Sequence, residues 1–214
     1  MALENHSRLI RDAARTALSP LGFQQKGRSR VWFADRGYWA LVIEFQLSGF
    51  SKGSYLNICA SWLWHPDGLP LNYFRRAGGF IAFETAEQFK LGTERLAGLA
   101  AVEMAGLDRK FESLDAVAVY LKEQASDEQI RKNPWTLYDA AIVAGLTGDK
   151  EFGLKCFSEL IARRANVDWM REMQAEATTL AKLLAEGGAF HPAIRKKVAA
   201  KRAVLKLPPL GDAS

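Results

Sequence analysis

The most regular alternation of apolar and polar positions runs from Leu21 to Pro66 and predicts three antiparallel strands. Arg28–Ala34, Tyr38–Ser48 and Ser54–His65 are each rich in Val, Ile, Trp, Phe and Tyr, and Gly, Asp or Ser bounds them. Asp35, Arg36 and Gly37 suit a three-residue loop whose glycine takes the left-handed region, which sets Ala34 opposite Tyr38, Val31 opposite Leu41 and Arg28 opposite Glu44. In the second hairpin Ser48 meets Gly53, so Phe45 faces Leu56, Ile43 faces Ile58, Leu41 faces Ala60 and Trp39 faces Trp62. A slip of one residue there would push Asn57 and Ser61 into the apolar face.

This register predicts a core face of Val31, Phe33, Trp39, Leu41, Ile43, Phe45, Leu47, Leu56, Ile58, Ala60, Trp62 and Trp64. The opposite face carries Arg28, Arg30, Glu44, Gln46, Tyr55, Asn57 and Ser61 among Trp32, Val42, Cys59 and Leu63. The polar residues Arg28, Arg30, Glu44, Gln46, Tyr55 and Asn57 are the candidate binding site.

Elsewhere the apolar period is helical. Leu9, Ile10, Ala13, Ala14, Ala17 and Leu18 predict a helix over about Glu4–Leu18 that lies on the sheet and ends at Ser19–Pro20. The stretch after His65 reads as loop, with a short edge strand over Phe80–Glu84. Helices follow over Thr93–Phe111 and Leu114–Ala125, the second capped by Ser113, and Ser126 with Gln129 has the form of a capping box. From Asn133–Pro134 onward the pattern is wholly helical. Trp135–Leu160 resembles one tetratricopeptide-type hairpin with Gly153 where that pattern has Ala; no second copy is present, so a packed hairpin is expected rather than a repeat array. Asp168 is the expected cap of a helix to Glu186, and His191–Pro192 opens a last, basic helix.

The fold expected is therefore α+β: an N-terminal helix on an antiparallel sheet of three or four strands, then an all-helical C-terminal part. The boundary falls at 125, giving an α+β unit over 1–125 and a helical unit over 126–214 packed on it.

The helix ending at Leu18, then Pro20, Leu21, Gly22, Phe23, Lys26, Gly27 and Arg28, followed by Trp39, Phe45, Gln46 and Asn57, resembles the bacterial family known as domain of unknown function 4304. The resemblance covers roughly the first 125 residues and is most specific between Leu21 and Asn57. It implies a fold and no particular chemistry, and it marks Gly22, Phe23, Lys26, Gly27, Arg28, Gln46 and Asn57 as matched positions.

A net charge of +5 permits an acidic or nucleic-acid partner without requiring one. The first residues lack an apolar core of signal-peptide length, and no apolar run approaches the roughly 20 residues of a membrane span, so the expected location is cytoplasmic, with no membrane contact. Cys59 and Cys156 have no metal-ligand spacing and read as small buried hydrophobes in a reducing compartment.

His6, His65 and His191 are too scattered for a metal site. No phosphate-cradling glycine loop or nucleophile elbow is present, and no cofactor is implied. His65 beside Asp67 reads as a strand-end contact rather than a proton-transfer pair. The preferred function is a non-enzymatic binding or regulatory module that meets a protein partner. One alternative is nucleic-acid binding through Arg195, Arg202 and Lys206 of the basic helix, aided by Arg75 and Arg76. The other is an enzyme of unspecified reaction using the polar sheet face.

Overall fold

The structure, a computed structural model, describes residues 2–65 and 72–211. It is α+β. Among the described residues it holds one five-stranded antiparallel sheet, in sequential order, and seven α-helices. The chain divides into two units: residues 1–109 with 201–214, and residues 110–200.

The first unit opens with α1 (Ala2–Leu18), whose apolar stripe buries Ile10, Ala14 and Leu18. The sheet follows as β1 (Gln24–Gln25), β2 (Val31–Asp35), β3 (Trp39–Leu47), β4 (Gly53–Trp62) and β5 (Tyr73–Ala82). The β3–β4 register is the expected one, with Trp39 opposite Trp62, Leu41 opposite Ala60, Ile43 opposite Ile58 and Phe45 opposite Leu56. All eight side chains are buried.

The β2–β3 register differs from expectation. Val31 lies opposite Glu44, Trp32 opposite Ile43 and Ala34 opposite Leu41, a slip of three residues. The cause is the turn. Arg36 N–H donates to the Trp39 carbonyl at 2.9 Å, which leaves only Gly37 and Tyr38 in the loop. Gly37 sits at φ 78° while Tyr38 has negative φ, the pattern of a two-residue turn with glycine first. The Asp35 carboxylate accepts from Gly37 N–H at 2.9 Å and holds the turn. A slip by an odd number reverses the faces of β2, so Trp32 and Ala34 join the core face in place of Val31 and Phe33.

The stretch read as loop plus a short strand over Phe80–Glu84 is instead the ten-residue edge strand β5; residues 66–71, including Asp67, lie outside the described residues. Arg75, Arg76, Gly78 and Gly79 had broken its alternation, and they suit an exposed edge. The register shifts between Ser54 and Leu56 on the partner strand, and Gly78 stands at φ 63° opposite that irregularity. The helix expected from Thr93 begins seven residues earlier, as α2 (Ala86–Lys110). Its start is a Thr85–Gln88 pair: Thr85 Oγ1 accepts from Gln88 N–H at 3.1 Å, and Gln88 Oε1 accepts from Glu84 N–H at 3.3 Å. Contacts of Ser7 with Arg30 and of the Gly92 backbone with Ile81 put α1 and α2 on the same sheet face.

The second unit holds α3 (Leu114–Ser126), α4 (Pro134–Leu146), α5 (Lys150–Ile161), α6 (Asp168–Glu186) and most of α7 (Phe190–Leu205). Ser113 caps α3 as expected, accepting from Ala116 N–H at 3.1 Å. Ser126 caps nothing: it ends α3, and Asp127 accepts from Gln129 and Ile130 N–H in its stead. Asp168 is the first helical residue of α6 rather than its cap. Gly153 has a packing reason, because a Cβ there would lie 2.9 Å from Leu184 and 3.1 Å from the Ala141 carbonyl.

The division therefore differs from a boundary at 125. The chain leaves the first unit after Arg109, and residues 201–214 belong to it again. Arg202, 4% exposed, forms two 2.6 Å bonds to the Asp35 carboxylate and donates to the Gly37 carbonyl at 2.7 Å and the Pro208 carbonyl at 2.9 Å. Lys206 ends α7 at φ 58°, with Leu207 N–H bonded to the Arg202 carbonyl and Lys206 N–H to that of Ala203. This is a Schellman closure with lysine at the glycine position.

Two substitutions test this closure with opposite signs. Arg202→Ala strands the Asp35 carboxylate and is expected to cost about 3 kcal/mol. Lys206→Gly relieves the left-handed lysine and is expected to gain about 0.5–1 kcal/mol. Urea unfolding of both variants checks the pair.

Candidate functional site

The six sheet residues singled out from the sequence separate into two groups. Val31, Glu44, Asn57 and Arg76 form one row across β2 to β5, and Gln46 and Tyr55 face each other in the next. Asn57, 1% exposed, anchors the group. Its Nδ2 donates to Glu44 Oε2 at 2.8 Å and to Gln46 Oε1 at 3.1 Å. Its Oδ1 accepts from Arg76 Nε at 3.3 Å, and another Arg76 nitrogen donates to Gln46 Oε1 at 2.7 Å. The Arg76 guanidinium lies 4.2 Å from the centre of the Tyr55 ring, and that ring packs on Phe80 at 4.9 Å. Every polar atom of the Asn57 amide is thus used, as its burial demands.

Arg76 was absent from the candidate site because β5 was not expected to reach it. The signal was there: two adjacent arginines followed by two glycines, flanked by aromatics, fit a bulged edge strand. Toward the other end of this face Val42, Cys59 and Ser61 are buried, whereas Phe74 of β5, opposite Cys59, is 49% exposed. Burial first and Glu44 second push the Cys59 thiol up to about 12, and burial pushes that of Cys156 up to about 11. Both stay protonated near neutrality, a poor state for nucleophilic chemistry.

Arg28 and Arg30 do not share that face, and the expected Arg28–Glu44 pair is not formed. The odd slip of β2 is the reason. Phe45 N–H donates to the Arg30 carbonyl at 3.0 Å, so Arg30 lies opposite Phe45 on the α1 side. There the β1–β2 hairpin turns tightly through Gly27 at φ 57°, with Lys26 N–H bonded to the Val31 carbonyl at 2.8 Å and Gln25 Nε2 to the Ser29 carbonyl at 2.6 Å. Between this hairpin and α1 lies a cavity of about 130 Å³ lined by Ser7, Ile10, Arg11, Gln25, Arg28, Ser29, Arg30 and Trp32. Arg30 donates to Ser7 Oγ at 2.7 Å, yet its Nε is buried without a partner, as is Nε1 of Trp32. Burial lowers the Arg30 pKa from the ordinary arginine value.

The basic helix places its cations unevenly. Arg202 is internal, Lys201 is buried, and Lys197 pairs with Glu176. Arg195 is half-buried and Lys206 is exposed at the helix end. Arg75 pairs with Glu103 of α2. Of the nucleic-acid candidates, Arg202 in particular serves the fold and is not presented to a phosphate backbone. His65 is buried, with Nε2 3.0 Å from the Asn72 amide nitrogen. Among the described residues no group of three His, Cys, Asp or Glu could hold a metal, and no helix is long and apolar enough to cross a membrane.

Comparison with protein-family models, with curated proteins and with solved structures finds no match for this chain.

A second cavity, about 300 Å³, lies at the β3–β4 loop over Ser48–Gly53, with His6 in its wall. His6 stacks on Phe89 at 4.4 Å, and neither ring nitrogen meets a hydrogen-bond partner of good geometry. Burial lowers its pKa first and the Arg30 cation next; the Gly53 backbone pulls the other way, and Lys52 adds a further lowering. The folded-state pKa thus lies below the unfolded value near 6.5, and the unfolded chain takes up the proton first. The contribution is fully present above about pH 6.5 and is lost as pH falls toward the folded value. Urea unfolding from pH 7.5 to 5 is expected to show this decline, and His6→Leu to remove its part of the slope. Both thiols are expected to resist a disulfide reagent at about pH 8 until the protein unfolds, as read by the coloured product released.

Proposed function

We propose that the protein is a non-enzymatic binding module that meets a protein partner through the β5 side of the polar sheet face. One observation carries this: a half-exposed aromatic ring, Phe74, stands on the same strand face as Arg76, two residues on, and a buried amide fixes the guanidinium in place. Aromatic rings and arginines are the side chains that most often dominate protein interfaces, and a guanidinium already held loses less entropy on binding. Tyr55 and Gln46, half-buried beside Arg76, supply the polar rim such a patch needs. The protonated Cys59 thiol and the Glu44 carboxylate engaged by Asn57 suit a rigid support better than an acid–base pair. The resemblance to domain of unknown function 4304, whose matched positions include Gln46 and Asn57, is compatible with a module of this kind.

The test is recovery of a partner from the host cell with the tagged full chain under gentle conditions. One stoichiometric protein is expected with the wild type, and Phe74→Ser with Arg76→Ala is expected to reduce its retention at least about ten-fold while circular dichroism stays that of the folded chain. Equal retention by the double variant, or no stoichiometric protein at all, would overturn the proposal.

A further inference from the structure

The cavity between α1 and the β1–β2 hairpin has a composition that the partner-binding face does not explain. Three guanidinium groups, Arg11, Arg28 and Arg30, line it, and among the described residues of its wall there is no carboxylate. Asp12, 3.6 Å from Arg11, is exposed to solvent and is not part of the wall. Arg30 is anchored through Ser7 on one side, so its Nε–H is held in place rather than free to turn toward water. Trp32, 2% exposed, forms part of the wall and carries an indole N–H with no acceptor. A buried donor without an acceptor is unfavourable in the folded chain, and a ligand that supplies the acceptor removes that cost. Because Ser7 Oγ already accepts from Arg30, its O–H is left to donate. A surplus of N–H and O–H donors in the wall of one small space suits an acceptor-rich anion, and the three cations make an oxyanion the best complement.

The geometry points to a phosphate site: Arg11, Arg28 and Arg30, with Ser7 and Trp32, form a cup that takes the dianionic phosphate group of inorganic phosphate or of a phosphomonoester. Three cations, with no carboxylate among the described wall residues, favour a dianion over a singly charged carboxylate, and guanidinium forks match two phosphate oxygens at once. Size sets the other bound. At about 130 Å³ the cavity is well under the roughly 300 Å³ at which clefts begin to enclose drug-sized ligands, so it holds the phosphate group and leaves any ester substituent outside. The exposed Arg28, on the hairpin turn set by Gly27, is the group able to close over the anion.

The test follows the six tryptophan indole N–H signals of the full-length protein by nuclear magnetic resonance, with Trp32→Phe assigning one of them. Titration with inorganic phosphate at constant ionic strength is expected to move the Trp32 signal saturably. Arg28→Ala, an exposed change that leaves the packing intact, is expected to weaken binding at least about ten-fold, and Arg28→Glu to abolish it. Glycerol 3-phosphate separates the two sources: binding as tight as phosphate or tighter assigns the cup to a phosphoryl group on a larger molecule, and binding about ten-fold weaker assigns it to the free ion. No saturable movement with either ligand up to about 10 mM, or movement unchanged by Arg28→Glu, would overturn the assignment.

Discussion

The two-residue turn at Gly37–Tyr38 decides what each side of this sheet can do. Side chains along a strand alternate, so the turn length sets the parity of every residue in β2. With Arg36 closed onto Trp39, Trp32 and Arg30 point toward α1, and Val31 and Phe33 toward the opposite face. A loop one residue longer would exchange them. The cavity beside α1 and the Asn57 network would then draw on different side chains, with Arg28 beside Glu44. Asp35 holds this turn from within, and Arg202 holds Asp35.

The two polar groups on the sheet are built on opposite principles. Asn57, Glu44, Gln46 and Arg76 satisfy one another, so their network adds rigidity and positions an edge. Arg30 and Trp32 are left with donors unmet inside a cavity. A closed network can be important for stability and say nothing about a ligand; an open one carries a cost that binding can offset. That contrast, more than the chemical type of the residues, separates support from site.

Much of this was legible in the chain. The β3–β4 register followed from keeping Asn57 and Ser61 out of a face of Trp39, Ile43, Phe45, Leu56 and Trp62, because both strands are long and their patterns agree. The first hairpin offered no such check. β2 has only five residues, Val31–Asp35, with apolar side chains on both faces, so pattern could not arbitrate and loop length was left to decide. Strand β5 was hidden because an exposed edge strand with a bulge lacks alternation. The grouping of Arg28 with Glu44 failed through the first of these causes, and the absence of Arg76 from the candidate site through the second. The pairing of Arg202 with Asp35 spans 167 residues and leaves no local trace.

That span has a consequence in time. The second unit is an insertion within the first, so the segment that clamps the β2–β3 hairpin is made only after the whole second unit. At about 5–20 residues per second, Asp35 leaves the ribosome roughly 10–30 seconds before Arg202 does. Until Arg202 follows, a β2–β3 hairpin has no clasp, and the Gly37 amide is the partner that the turn itself offers the Asp35 carboxylate. A nascent chain of this protein therefore passes through a period in which the hairpin that sets the parity of the sheet is held by its own turn alone.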